Sequence, residues 1–204
     1  MQHFGKRRRE RRPPKPLGRA ALEELALAYV ARFATSAGKL EKYLKRKVRE
    51  RGWEGEDSEY AAAGSVAEIA ERFVTNKYVD DEGYALGRSR SLTGRGFGPR
   101  RVEAALREAG IADELRAAAR PDQPRQRQAA LDLARRRGFG PFDRDRPDQP
   151  DSRPSYELLA QVRAREDKQL AAMLRAGHSF DTARAVLGFA TEAEAEQWVE
   201  EAEE

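Results

Sequence analysis

Residues 78–111 read YVDDEGYALGRSRSLTGRGFGPRRVEAALREAGI, and the helix starts and stops in this stretch decide the fold. Asp80 has the character of an N-cap, because a short carboxylate before a helix accepts a hydrogen bond from an orphan backbone N–H. Asp81 and Glu82 then fall in the electropositive first turn. The helix they open is expected to run to about Thr93. Gly96-Phe97-Gly98-Pro99 reads as a turn that places proline at a first helical position, where no amide hydrogen is needed. Val102, Ala105, Leu106 and Ala109 recur at helical spacing, and Gly110 closes their helix. Ile111 to Ala119 makes a short third helix, ended by Pro121 and Pro124. Residues 80–122 thus read as a three-helix unit.

The same grammar extends in both directions. Upstream, Leu22, Leu25, Ala26, Tyr29 and Phe33 form one apolar stripe. Leu40, Leu44 and Val48 form a second, narrower one that stops at Gly52. A polar, acidic insert, 54–64, follows. Ser65 and Glu68 have capping-box spacing, so a helix is expected to start there with Val66, Ile69, Ala70, Phe73 and Val74 on its face and Asn76 to Val79 at its end. Downstream, Gln126 to Arg137 is helical. A proline- and charge-rich loop occupies 141–154, and a longer helix carries Leu170, Met173 and Leu174 to Gly177. Ser179 caps another helix, through Leu187. Thr191 and Glu194 form a last capping box, before an Ala195/Trp198/Val199/Ala202 stripe.

Two motifs recur. Arg95-Gly-Phe-Gly-Pro99 returns as Arg137-Gly-Phe-Gly-Pro141, and Leu106-Arg-Glu-Ala-Gly110 resembles Met173-Leu-Arg-Ala-Gly177. Val48 to Gly52 has the same hydrophobe-to-glycine spacing. The expected fold is all-α: three tandem three-helix repeats over 20–79, 80–122 and 123–190. A disordered basic arm, 1–19, precedes them and an acidic C-terminal helix, 191–204, follows. Units this small sit near the lower limit for an independent core, so neighbours should pack edge to edge as an elongated, curved array and a monomer.

Composition narrows the function classes. The 204 residues contain no cysteine, which removes disulfides, thiolate nucleophiles and cysteine-ligated metals. No segment approaches an apolar membrane span, and no apolar run follows the basic N-terminus as in a secretory signal; a cytoplasmic location without membrane contact is expected. Charge is uneven. Residues 1–19 carry eight Lys/Arg and one acid, whereas 191–204 carry seven Glu and no base. Segment 38–52 has seven bases against two acids, and 88–107 six against one. Clusters of this sign favour a polyanionic partner through local potential and counterion release.

Catalytic and metal motifs do not emerge. Gly94-x-Gly96-x-Gly98 lacks the preceding strand and the Lys-Ser/Thr of a phosphate loop. His3 and His178 have no metal partners at ligand spacing, and His178, after a helix-ending glycine, reads as a partly exposed cap histidine. The expectation is a non-enzyme without cofactor or metal.

Residues 78–111 resemble the bacterial RecX regulatory family. The resemblance rests on Tyr78-Val79-Asp80-Asp81, then Tyr84-Ala85, then Gly96-Phe97-Gly98, then a basic helix ending in Gly110-Ile111. It implies three tandem three-helix repeats and a modulator that binds the RecA recombinase and its filament on single-stranded DNA. Such proteins restrain ATP hydrolysis, strand exchange and co-protease activity, and so regulate recombination, repair and the SOS response; direct DNA contact would be secondary. There are no catalytic residues to carry over. The arm 1–19, the insert 54–64, the loop 141–154 and the acidic end depart from the simplest family pattern.

Within the motif, Tyr78, Tyr84 and Phe97 are expected to pack in the core or between repeats. Asp80 is expected to cap, and Gly98 and Gly110 to be backbone necessities, Gly98 at a turn geometry with positive φ. The candidate partner- or DNA-binding residues are the bases Lys42, Lys45, Arg46, Arg49, Arg88, Arg95, Arg100 and Arg101. A rival reading takes Gly98 to Ala119 as a DNA-binding helix-turn-helix, but its second helix offers only Arg116 as a base.

Overall fold

The computed structural model describes residues 15–54, 58–144 and 156–202. Among these the secondary structure is ten α-helices and one 3-10 turn, with a single isolated bridge between Leu17 and Trp53. The fold is all-α. The chain divides into two units, Met1–Val79 and Asp80–Glu204.

The first unit is built from α1 (Arg19–Val30), α2 (Ala37–Arg51) and α3 (Ser58–Thr75). Ser36 caps α2 by accepting from the Lys39 N–H at 3.2 Å. Leu22 and Ala26 of α1, Leu40 and Leu44 of α2, and Val66, Ile69 and Phe73 of α3 close into one core with Leu17 and Val79. Each large side chain buried there contributes about 1.5–3 kcal/mol.

Three expectations change in this unit. Of the arm 1–19, residues 1–14 lie outside the described residues, but 15–19 are built into the fold. Leu17 is fully buried, its N–H donates to the Gly52 carbonyl at 2.9 Å and its carbonyl accepts from Glu54 N–H at 3.0 Å. A lone leucine beside Trp53 fills the end of the core, and that burial outweighs the polar character of its neighbours. Second, α3 begins by Ser58, and Ser65 is interior. Ala61, Ala62 and Ala63 are strong helix formers, and Ala62 is 4% exposed on the buried face, so most of the expected insert is helix; residues 55–57 lie outside the described residues. Third, Phe33 lies beyond the end of α1 and is 58% exposed.

The second unit contains α4 (Asp81–Thr93), α5 (Pro99–Glu108), α6 (Asp113–Ala118), α7 (Gln123–Arg137), α8 (Tyr156–Arg175), α9 (Phe180–Gly188) and α10 (Glu192–Glu200). Asp80 caps α4 through the Gly83 N–H at 3.0 Å. Ala85, Leu92, Val102, Leu106, Ala109, Ile111 and Ala119 bury together under α4–α6. Ala130 and Ala134 of α7, Met173 of α8, and Ala183 and Val186 of α9 form the next core. Pro124, expected to end a helix, instead sits in the first turn of α7 behind the Asp122 cap, a position where its missing N–H costs nothing.

Gly52, Gly110 and Gly177 follow α2, α5 and α8 at φ of 82°, 76° and 94°. Each supplies the positive-φ residue that follows the middle helix of a three-helix group, a backbone geometry glycine adopts at no steric cost. The two RGFGP copies diverge at their last glycine. Gly98 is extended at φ −78° and caps α5, so the expected positive φ is not there; it is at Gly96, φ 75°. Gly140, its counterpart, has φ 57° and opens a 3-10 turn, Gly140–Phe142. Of the loop 141–154, residues 145–154 lie outside the described residues.

Gly98 is required by proximity. Its N–H donates to the Ala176 carbonyl at 2.9 Å, and Arg100 N–H donates to the Gly177 carbonyl at 3.1 Å. A Cβ on Gly98 would lie 2.4 Å from backbone atoms of Gly177 and His178. The α4–α6 and α7–α9 groups therefore meet backbone to backbone.

His178 sits in this seam. It is fully buried, not a partly exposed cap, because the turn after Gly177 points the ring at the other helix group. Nε2 donates to the Gly96 carbonyl at 3.0 Å, which fixes the neutral tautomer with the proton there. Nδ1 has no hydrogen-bond partner among the described residues. Burial pushes the imidazole pKa below its ordinary value, and the Gly96 carbonyl opposes that only in part.

The acidic end is also part of the fold. Thr191 caps α10 through Glu194 N–H at 3.2 Å, and the Glu194 carboxylate accepts from Ala190 N–H at 2.9 Å. Ala195 and Val199 bury against Leu131 of α7, with Trp198 packed beside them. The Arg127 guanidinium lies over the Trp198 ring, 4.6 Å from its centroid, and Glu196 pairs with Arg135.

Candidate functional site

The eight basic candidates fall into both units. Lys42, Lys45, Arg46 and Arg49 are exposed on α2, and their spacing puts them along one side of the helix. That side is partly neutralised by its own helix. Lys45 pairs with Glu41 at 2.8 Å and Arg46 with Glu50 at 3.7 Å. Lys47 also bonds Glu50 and holds its carboxyl below the usual range. Exposed pairs like these are worth only about 0–1 kcal/mol each, so a partner anion can displace them. Next to this face, Tyr43 stacks on Tyr29 at 4.2 Å, and the Arg46 and Lys47 side chains approach the Tyr43 ring.

In the second unit the candidates separate. Arg88 is half-buried on α4, while Arg100 and Arg101 are exposed on α5. Arg100 borders a mixed-charge hollow of about 680 Å³ that also contains Glu103, Asp113 and Arg116. Arg95 alone joins a wholly basic cleft of about 610 Å³, with Arg136 and Arg137 from the end of α7 and Arg175 from the end of α8. Its remaining lining is Phe97, Phe139, Leu133, Ala172 and Ala176, with no acid. The two RGFGP copies form this cleft together. Arg136 donates to the Arg95 carbonyl, Arg95 lies over Phe97 at 5.3 Å from the centroid, and Arg137 over Phe139 at 5.7 Å.

Sequence reasoning missed Arg136, Arg137 and Arg175. The signal was present in the duplicated motif, but last-turn arginines are also what a helix dipole favours, and only the packing of α7 and α8 against the α4–α5 turn makes them neighbours.

The family-motif residues divide by role. Val79 and Ala85 are buried in their cores, and Tyr84 and Phe97 pack half-buried against the second. Tyr78 departs from the expected buried packing: it sits edge-on to Phe73 at 5.4 Å but stays 56% exposed, because it precedes the Asp80 cap on the way out of the first unit's core. No cluster able to hold a metal ion exists among the described residues, and none of their helices is long and apolar enough to cross a membrane.

The helix-turn-helix reading loses its one base. Arg116 bonds Glu103 at 2.7 Å and the Ile111 carbonyl at 2.6 Å, pairs with Asp113 at 2.7 Å, and its side chain is 13% exposed. The Glu103 bond in particular pushes its pKa above the ordinary guanidinium value. It is tied into the fold and cannot reach base edges.

Known proteins agree with this architecture. A family model for RecX, second three-helix domain, matches residues 80–119. The regulatory protein RecX of Myxococcus xanthus (strain DK1622) is 30% identical over 187 residues, 89% of this chain and 92% of that protein. The crystal structure of RecX from Lactobacillus salivarius matches at TM-score 0.58 and 18% identity, over 88% of this chain and 97% of its own. A second crystal structure, of regulatory protein RecX, matches at TM-score 0.56 and 20% identity, over 83% and 70%. At those identities the two crystal structures bear on the fold alone.

Proposed function

This chain belongs to the RecX family, and on that premise we propose that it is a non-enzymatic modulator of a RecA-type recombinase. It binds the recombinase, above all its filament on single-stranded DNA, and restrains ATP hydrolysis, strand exchange and co-protease activity in the cytoplasm. The observation that carries this reading is the 30% identity to a regulatory protein RecX over nearly the whole of both chains.

The basic surfaces supply a physical route. The α2 face, with Lys42, Lys45, Arg46 and Arg49, and the second-unit bases Arg88, Arg95, Arg100 and Arg101 are proposed to meet DNA phosphate and acidic recombinase surface. Both contacts are screened by salt, so binding should weaken as ionic strength rises. The protein acts as a monomer, with no cofactor.

The test is the single-stranded-DNA-dependent ATPase of the cognate recombinase, titrated with this protein. A fall in turnover at or below equimolar protein is expected. Undiminished turnover with folded protein present in excess, together with no co-sedimentation with the filament, would overturn the reading.

A further inference from the structure

The arginine cleft has features that binding a protein surface does not require. We propose that it is a binding site for a nucleotide unit, with the phosphate held by arginines and the base lodged among Phe97, Phe139 and the apolar floor. The inference is independent of the recombinase reading, since it concerns what the isolated protein binds.

Four observations carry it. First, the charge is uncompensated: none of the four arginines has an ion pair among the described residues, whereas Arg107, Arg125 and Arg135, elsewhere in the same unit, each have one. The cleft gathers the C-terminal ends of α7 and α8, and each helix end offsets roughly half a positive charge. Four arginines exceed that, so a net positive field remains. Second, all the bases are arginine. A guanidinium presents planar, forked donors that match phosphate oxygens, and it also accepts stacking on its face. Third, aromatic rings alternate with the charges. Phe97 and Phe139 are half-buried, so each holds an arginine and still borders the cleft; interleaved aromatic and basic side chains are how proteins grip single-stranded bases. Fourth, the volume of about 610 Å³ lies in the range of small-ligand sites, and Leu133, Ala172 and Ala176 floor it with apolar surface. An acidic peptide would use the charge but leave that floor and the rings without a role.

The ligand chemistry, phosphate beside an aromatic base, has two sources: a single nucleic-acid strand or a free nucleoside triphosphate. Fluorescence anisotropy of the full chain separates them, using a labelled oligothymidylate of about six nucleotides, within the ~4–16 typical of one binding module. Unlabelled oligothymidylate, Mg-ATP, pyrophosphate and polyglutamate serve as competitors. Displacement by oligothymidylate but not by Mg-ATP assigns the strand; displacement by Mg-ATP at lower concentration assigns the free nucleotide. Arg175→Ala and Arg137→Ala should each weaken binding about tenfold, as loss of one charge-assisted phosphate contact does. Each should lower the salt slope by ~0.7, the value for one single-strand phosphate contact. Arg175→Lys should restore only part, and Arg107→Ala, outside the cleft, should change nothing. Photocrosslinking with 4-thiothymidine should label peptides containing Phe97 or Phe139, a readout independent of any variant. Equal displacement by pyrophosphate or polyglutamate, wild-type binding by both arginine variants, or crosslinks confined to the first unit would each overturn the proposal. No recombinase is present, so this result and the ATPase result fail separately.

Discussion

Replacing Gly98 with alanine adds one methyl group, and the seam decides where it goes. The new Cβ would lie 2.4 Å from the Gly177 carbonyl carbon and oxygen and from the His178 nitrogen. Ordinary carbon contacts begin near ~3.5 Å, so the two helix groups must part by about 1 Å locally. All three clashing atoms are backbone, so no rotamer change relieves them. The opening stretches the Gly98–Ala176 and Arg100–Gly177 hydrogen bonds, now 2.9 and 3.1 Å. Overpacking costs about 1–3 kcal/mol, and leaving a buried polar group unpaired costs about 1–3 kcal/mol, so a loss near 3–5 kcal/mol is expected. At about 2–4 °C per kcal/mol for a chain of this size, the midpoint should drop by roughly 10–15 °C. Gly87 is the internal control. It lies inside α4, a Cβ there meets nothing within 4 Å, and Gly87→Ala should gain about 0.5–1 kcal/mol from helix propensity. Thermal unfolding followed by circular dichroism should therefore move the two variants in opposite directions. A Gly98→Ala protein that melts with or above wild type would refute the backbone seam.

Other outcomes follow from the same structure. Because burial lowers the His178 pKa, its contribution to stability is complete above the unfolded-state pKa near ~6.5 and is lost as pH falls from there through the folded value. Melting temperature should decline with acidification over that window, and His178→Gln, which can still donate to Gly96, should show a flatter profile; equal slopes in both proteins would exclude His178 as the cause. Truncation before Thr191 should destabilise the second unit, because it uncovers Leu131 and removes Ala195 and Val199 from their core. Trp198→Ala should cost about 2–4 kcal/mol in urea unfolding, and neutral behaviour of both changes would show α10 to be dispensable. Substituting Lys42, Lys45, Arg46 and Arg49 together with alanine should weaken filament binding and flatten its dependence on salt between low and moderate ionic strength; overlaid titrations would remove the α2 face from the interface.

Some of this protein was readable from the chain alone because its signals are local. A helix stop at Gly52, Gly110 or Gly177, a cap at Asp80, Ser179 or Thr191, and the stripe Val102-Ala105-Leu106-Ala109 each depend on interactions within a turn or two of the chain. Residue identity and spacing carry that information directly. Local signals also misled. Ser65 and Glu68 have capping-box spacing, yet they lie inside α3, where alanines upstream and the burial of Ala62 extend the helix through them. What the chain could not disclose alone is which distant residues share an environment. Arg95, Arg136, Arg137 and Arg175 become one cleft only when α7 and α8 pack against the turn before α5. Arg116 has its charge compensated by Glu103 and Asp113 through the same kind of folding, and Gly98 is needed for the backbone that arrives opposite it, not for its own φ. Helix position is set by neighbours three or four residues away, whereas exposure, charge compensation and close approach are set by whatever the fold brings from elsewhere, and only the tertiary structure determines that.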